Sequence, residues 1–238
     1  MSVIGVCSVK GAPGVTTLAV ALAAHGQRVG AMLIEADAAG GDLAWKFGVS
    51  QSPGLVQFAA RARHSAPGRD VLEGLTSRIA SPSFDLVPAP VEPAAVTAAL
   101  GALTSSPDVL AVAGRRRPVI IDMGRVGPHS LGLTLAEACD VLVLVVRGDT
   151  SSLGHAKEAT WLTEVRGQVG FVLVDSGPYH ADDAVGALPL PCFGTVPFDR
   201  RPLAGRRAAA ALTAIWDHVT TTMSGPLAAT EPVQVSTR

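Results

Sequence analysis

Near the start of the chain, Ser8-Val9-Lys10-Gly11-Ala12-Pro13-Gly14-Val15-Thr16-Thr17 holds residue types suited to binding phosphate. The stretch joins an apolar run, residues 3–9, to a helix-like segment, residues 16–25. Glycines at 11 and 14 let backbone N–H groups turn inward, and a helix N-terminus adds positive potential, so loop and helix together make an anion cradle. Thr16 then presents a hydroxyl to a phosphate-bound Mg²⁺. The acids that such chemistry needs stand at the ends of later apolar runs: Glu35 and Asp37 after residues 29–34, and Asp122 after residues 119–121. A carboxylate there can orient an attacking or metal-bound water. Plainer readings stay open, with Gly-Ala-Pro-Gly as a tight turn, the acids as solvated strand ends and Lys10 as an exposed loop lysine.

These residues need a scaffold that brings strand ends together. Short runs rich in Val and Ile recur at 3–9, 29–34, 84–87, 119–121, 141–146, 169–174 and 192–196, mostly without polar alternation, as buried parallel strands do. Helix-like segments lie between them at 16–25, 92–103, 131–138, 151–165 and 202–222. The alternation predicts an α/β fold: a doubly wound, mostly parallel sheet flanked by helices, with right-handed crossovers. Residues 51–93 are less regular and read as a surface excursion of one or two helices. We expect residues 1–224 to form a single domain and residues 225–238 a flexible tail without apolar periodicity.

Composition narrows the function classes. With 48% hydrophobic and 16% charged residues in 238, the chain suits one globular domain. A net charge of -1 gives no overall basic field, although Arg115-Arg116-Arg117, or Arg200, Arg201, Arg206 and Arg207, offer local clusters for nonspecific DNA phosphates or simply solvated helix ends. Cys7, Cys139 and Cys192 are widely spaced and read as buried free thiols, not as a disulfide or metal framework. The first residues lack a basic region or cleavage pattern, and the aliphatic run at 141–146 is far below the ~20 residues that span a bilayer, so the expected location is cytoplasmic, without membrane insertion.

The loop departs from the ordinary G-x-x-x-x-G-K-[ST] motif, since Val9 stands at the first glycine and Val15 at the lysine. It resembles instead the deviant Walker A loop of the ParA/MinD family of P-loop ATPases, K-G-G-x-G-K-[ST]-[ST], matching at Lys10, Gly11, Gly14, Thr16 and Thr17 and departing at Ala12 and Val15. Ile34-Glu35-Ala36-Asp37 through Gly41-Asp42-Leu43 is similar to the family's D-x-D-x-x-x-G segment, with Glu35 at the first aspartate and Asp37 at the second. Val119–Asp122 looks like its Walker B strand, and Val196-Pro197-Phe198-Asp199 resembles its late turn near the base. The resemblance covers about residues 1 to 222, and the second and third blocks look closest to MinD-like proteins.

What the resemblance implies is a site. Lys10, Asp37 and Asp122 would be catalytic, with Lys10 reaching the partner subunit's phosphate across a nucleotide sandwich dimer. Lys10, Gly11, Ala12, Pro13, Gly14, Val15, Thr16, Thr17 and Pro197 would bind ATP or ADP, and Thr16, Asp37 and Asp122 would hold Mg²⁺. Arg125 and Arg147, just beyond two strand ends, either replace the missing lysine charge or pair with acids such as Asp149. The lost lysine contact removes roughly 1.5–3 kcal/mol, so ATP affinity falls about tenfold to a hundredfold and hydrolysis further. Two functions follow: a dimerising spatial-organisation or partitioning factor with weak or absent hydrolysis, or a pseudo-ATPase scaffold that needs no nucleotide. Either implies a homodimer and a further protein partner.

Overall fold

A computed structural model describes residues 2–11, 13–66, 68–106, 108–198 and 206–221. Strand β1 (Val3–Ser8) leads through the glycine loop into α1 (Val15–His25), and β2 (Met32–Glu35) leads into the short α2 (Leu43–Phe47) and then α3 (Leu55–His64). A hairpin of β3 (Ser77–Ile79) and β4 (Phe84–Val87) precedes α4 (Pro93–Thr104) and α5 (Asp108–Arg116). The chain continues through β5 (Val119–Arg125), α6 (Leu131–Ala136), β6 (Val141–Arg147), α7 (Thr150–Glu158), β7 (Gln168–Asp175), α8 (Ala181–Ala187), β8 (Cys192–Pro197) and α9 (Arg206–Thr221).

The eight strands lie in the order β3-β4-β2-β5-β1-β6-β7-β8. All pairs are parallel except β3 with β4. The expected doubly wound, mostly parallel sheet flanked by helices is therefore what forms. Its central strands are buried, apart from Arg125 and Arg147 at the carboxyl ends of β5 and β6, because helices cover both faces. One face packs under α3 to α8 through residues such as Phe58, Leu100, Leu110, Leu135 and Leu153. The other packs under α1, α2 and α9 through Leu18, Leu22, Leu43, Ile215 and Val219. Parallel strands point their carboxyl ends the same way, so the loops after β1, β2, β5 and β6 gather at one edge.

Several elements differ from the periodicity. The second strand begins at Met32, because residues 26–29 form a 3₁₀ turn closed by Gly30 at φ +73 and leave Val29 55% exposed. The long helix expected over 151–165 stops at Glu158, and a 3₁₀ turn over 160–164 finishes the segment. The excursion at 51–93 contains α3 and also the unanticipated strand β3, while α2, α5 and α8 were too short to stand out. Cys7 and Cys139 are buried free thiols, Cys7 pushed up to about 12 by lost hydration, but Cys192 is only partly covered. Among the described residues, no single helix is long and apolar enough to cross a membrane. The flexible tail expected over 225–238 lies outside the described residues.

Close packing fixes how α9 docks. A Cβ on Gly26 would lie 2.2 Å from the Trp216 ring, and His25 stacks on the same ring at 5.8 Å. Gly26→Ala is expected to lose about 1–3 kcal/mol by overpacking, read as a thermal midpoint several degrees lower; an unchanged midpoint would mean that Trp216 has room to move.

Candidate functional site

The glycine loop rises from β1 at the carboxyl edge. Gly11 has φ +68 and Gly14 φ +100, the left-handed conformations that permit the sharp entry into α1, and a Cβ at either would meet only open space. The Ser8 hydroxyl donates to the Gly11 carbonyl at 3.4 Å, and the Ser8 carbonyl accepts from Val126 N–H at 2.8 Å. Lys10 and Gly11 are exposed, Pro13 is buried, and Thr16 and Thr17 are half-buried on the first turn of α1. Ala12 lies outside the described residues. Val15, at the lysine position, is 5% exposed and sits in the apolar cluster beneath α1.

Sequence-distant acids meet at this loop. Asp122, 1% exposed, accepts a hydrogen bond from the Thr16 hydroxyl and another from Gly124 N–H at 3.2 Å. Lost hydration, reinforced by Asp37 and Glu35 nearby, pushes its carboxyl up to about 7. Asp37, half-buried, accepts from Ala39 N–H at 2.9 Å and is likewise raised, chiefly by burial. Its carboxylate lies over Gly124, where a Cβ would come within 2.1 Å of it. Thr16, Asp37 and Asp122 are thus brought together, although no part of the sequence pattern measured their approach.

Glu35 does something else. Its Oε1 accepts from Asp42 N–H and Leu43 N–H at 2.6 and 2.8 Å, and its Oε2 accepts from Ala89 N–H at 2.9 Å. The carboxylate therefore ties the loop that carries Asp37 to the segment after β4. Its titration is shifted upward because burial outweighs these three donors. Gly41 makes room for this clamp: a Cβ there would lie 2.8 Å from Oε2 and 2.5 Å from the Ala89 carbonyl. Sequence reasoning placed Gly41 in the D-x-D-x-x-x-G segment without giving it a role, and missed Ala89 and Gly124 as parts of the site; for Gly124 the visible signal was a glycine two residues after Asp122.

The remaining positions spread along the same edge. Arg125 ends β5 opposite Ser8 and is exposed. Arg147 ends β6, with its guanidinium carbon 5.7 Å from the centre of the Phe198 ring. Asp149 caps α7 by accepting from Ser152 N–H at 2.7 Å. Pro197 ends β8, three strands from β1, about 14 Å away at the usual inter-strand spacing. The Arg115-Arg116-Arg117 cluster lies just before β5 at the opposite edge, where Arg116 meets Asp70 at 3.6 Å. Asp199, Arg200 and Arg201 lie outside the described residues, as do the side chains of Arg206 and Arg207.

The donors fit a phosphate-bound Mg²⁺. Two carboxylates are held partly or wholly out of water beside a hydroxyl, and a divalent cation would offset the charge that burial disfavours. Among the described residues no group of three or more His, Cys, Asp or Glu side chains forms a metal cage. Mg²⁺ suits so sparse a set because it keeps several waters and relies on substrate phosphates.

No protein-family model and no curated protein matches the sequence. Solved structures do match. The septum site-determining protein MinD of Pyrococcus horikoshii OT3, complexed with Mg-ADP, aligns at TM-score 0.72 and 18% identity over 93% of this chain and 96% of its own. A ParA family ATPase of Chlorobium tepidum TLS aligns at 0.69 and 19%, covering 92% of each chain. The fold is that of the ParA/MinD ATPases. Cobyrinic acid a,c-diamide synthase of Mycobacterium smegmatis, with bound ADP and magnesium, aligns at 0.64 and 18% over 93% and 95%. The ParA/MinD fold thus also occurs in a synthase, and function has to be argued from the site.

The two buried acids of this ParA/MinD fold should respond oppositely to substitution. Asp122 folded holds its proton up to about 7, whereas the unfolded chain loses it near 3.8, so stability falls as pH rises through that window, by on the order of 4 kcal/mol. Without metal or nucleotide, Asp122→Asn should therefore melt several degrees above the wild type at pH 8, and the gap should narrow as pH falls toward 4. A constant gap would show that ionisation is not its source. Glu35→Ala should instead destabilise by about 3 kcal/mol or more, because three backbone N–H groups lose their acceptor; chemical denaturation checks this, and a loss below about 1 kcal/mol would contradict the clamp.

Proposed function

We propose that the chain is a ParA/MinD-like nucleotide-binding protein, a dimerising spatial-organisation or partitioning factor of the cytoplasm whose ATP hydrolysis is weak or absent. The observation that carries the nucleotide reading is the convergence of Thr16, Asp122 and Asp37 at the mouth of a glycine loop whose left-handed residues leave open space. Three sequence-distant polar groups meeting at one helix start have a ready explanation in phosphate and metal binding.

In this reading the loop N–H groups would hold the nucleotide phosphates, and the Thr16 hydroxyl with the Asp37 and Asp122 carboxylates would hold Mg²⁺ and its waters. A bound Mg²⁺ would neutralise phosphate charge as it develops during transfer. Asp37 would accept a hydrogen bond from the attacking water, and Asp122, which accepts from the Thr16 hydroxyl, would fix that hydroxyl's orientation. Lys10, exposed at the start of the loop, reaches the phosphates of a second copy and couples nucleotide to dimerisation. Val15 contributes no charge, so roughly 1.5–3 kcal/mol of phosphate pairing is absent from its usual place, and the transition state loses more than the ground state.

The second reading, a pseudo-ATPase scaffold that needs no nucleotide, draws on the burial of Val15: position 15 serves the core, 5% exposed. Calorimetry with ATP and Mg²⁺, alongside molecular mass in solution, separates the two. The nucleotide reading expects Mg²⁺-dependent binding and a doubled mass with ATP, and it expects Lys10→Ala to bind ATP but remain a monomer. Absence of binding at millimolar ATP, with unchanged mass, would leave the scaffold.

A further inference from the structure

We infer that Arg125, on a different element from the loop it serves, replaces the charge that position 15 lacks and pairs with the phosphates of a bound nucleoside triphosphate; the inference rests on the nucleotide reading above. The first observation is a bulge. From Val6 opposite Asp122 to Ser8 opposite Arg125, β1 advances two residues while β5 advances three. The extra residue is accommodated at Gly124, which has φ +56. Such glycine bulges re-aim the side chains that follow them.

Here the re-aiming changes which face Arg125 occupies. Val119, Ile121 and Met123 pack into the cluster under α3 to α8, and unbroken alternation would send Arg125 into that apolar face next. Val126 enters that face instead, at 1% exposure. Alternation at the end of β5 then assigns Arg125, exposed beside buried Val126, to the opposite side, the side on which Asp122 meets Thr16. Its backbone stands beside Ser8, the residue that opens the loop, within about 5 Å at normal strand spacing. It is exposed and, among the described residues, takes part in no ion pair.

Other cations fit the role less well. Arg147 packs against the Phe198 ring, two strand ends from Arg125. Lys10 is exposed at the start of the loop, ahead of α1, and the reading above gives it to the phosphates of a second copy. A guanidinium suits the task because its planar donors pair with two phosphate oxygens at once, where a lysine acts as a point charge. The displaced charge also has a mechanical meaning. Phosphate pairing then rests on the segment that follows Asp122, so β5 carries both an acid of the metal shell and the phosphate cation.

The test is titration calorimetry of the full chain with ATP and Mg²⁺, for wild type, Arg125→Ala and Arg28→Ala, with the melting midpoint of each unliganded protein. Arg28 is an exposed arginine at the other edge of the sheet. Arg125→Ala should bind about tenfold to a hundredfold more weakly at an unchanged midpoint, while Arg28→Ala binds as wild type does. Wild-type affinity in Arg125→Ala, or equal weakening in both variants, would overturn the role of Arg125 and leave the nucleotide reading standing. A wild-type protein that binds no ATP at millimolar concentration would overturn both.

Discussion

A carboxylate kept out of water at the end of a central strand governs the rest of this site. Asp122 is 1% exposed, and among the described residues the Thr16 hydroxyl and the Gly124 N–H are bonded to it. Burial of a carboxyl with so few donors works against the ionised form and against folding. Such an arrangement persists when something the fold receives later repays that cost, and a cation beside phosphate is suited to do so. The glycines on either side follow from the same constraint. Gly14 allows α1 to begin above the acid, and Gly124 leaves room for the carboxylate of Asp37 to settle over β5.

Glu35 shows how different the fate of a neighbouring acid can be. It is as buried as Asp122 but is given three backbone donors, and it binds together two loops that belong to different strands. One acid holds the frame and the other is held by it. Val15 marks a similar division at the loop itself. Its side chain joins Leu18, Val143 and Val145 under α1, so position 15 contributes to stability where a charge would contribute to ligand binding.

The succession of strands and the edge that carries the glycine loop were legible because buried parallel strands read as unbroken runs of Val and Ile, and because glycines and acids at their ends punctuate those runs; the order of the strands in the sheet was not read. Elements that rely on few contacts were not legible. Helices α2 and α8 have five and seven residues, too few for a period to show, and β3 has three and exists only because β4 offers a partner. The second strand was placed three residues early, since Val29 is apolar yet 55% exposed on a turn. At the site, residue types pointed to phosphate and metal chemistry, but the glycines at 41 and 124 did not by themselves say that one makes room for a clamp at Glu35 and the other for a bulge in β5. Both depend on chain segments that sequence distance hides, such as Ala89, 54 residues from Glu35.

The sheet's outermost strands have a consequence for how copies of the chain can meet. At one side β3 is three residues long, turned antiparallel, and carries Arg78 paired with Asp85 at 3.1 Å, with Pro82 in the turn beside it. At the other, β8 is bracketed by Pro191 and ends in Pro197, neither of which has an N–H to offer a neighbouring ladder. A protein with such blunted margins does not grow by adding strand to strand. Crowded copies are thereby steered away from edge-to-edge, fibrous stacking.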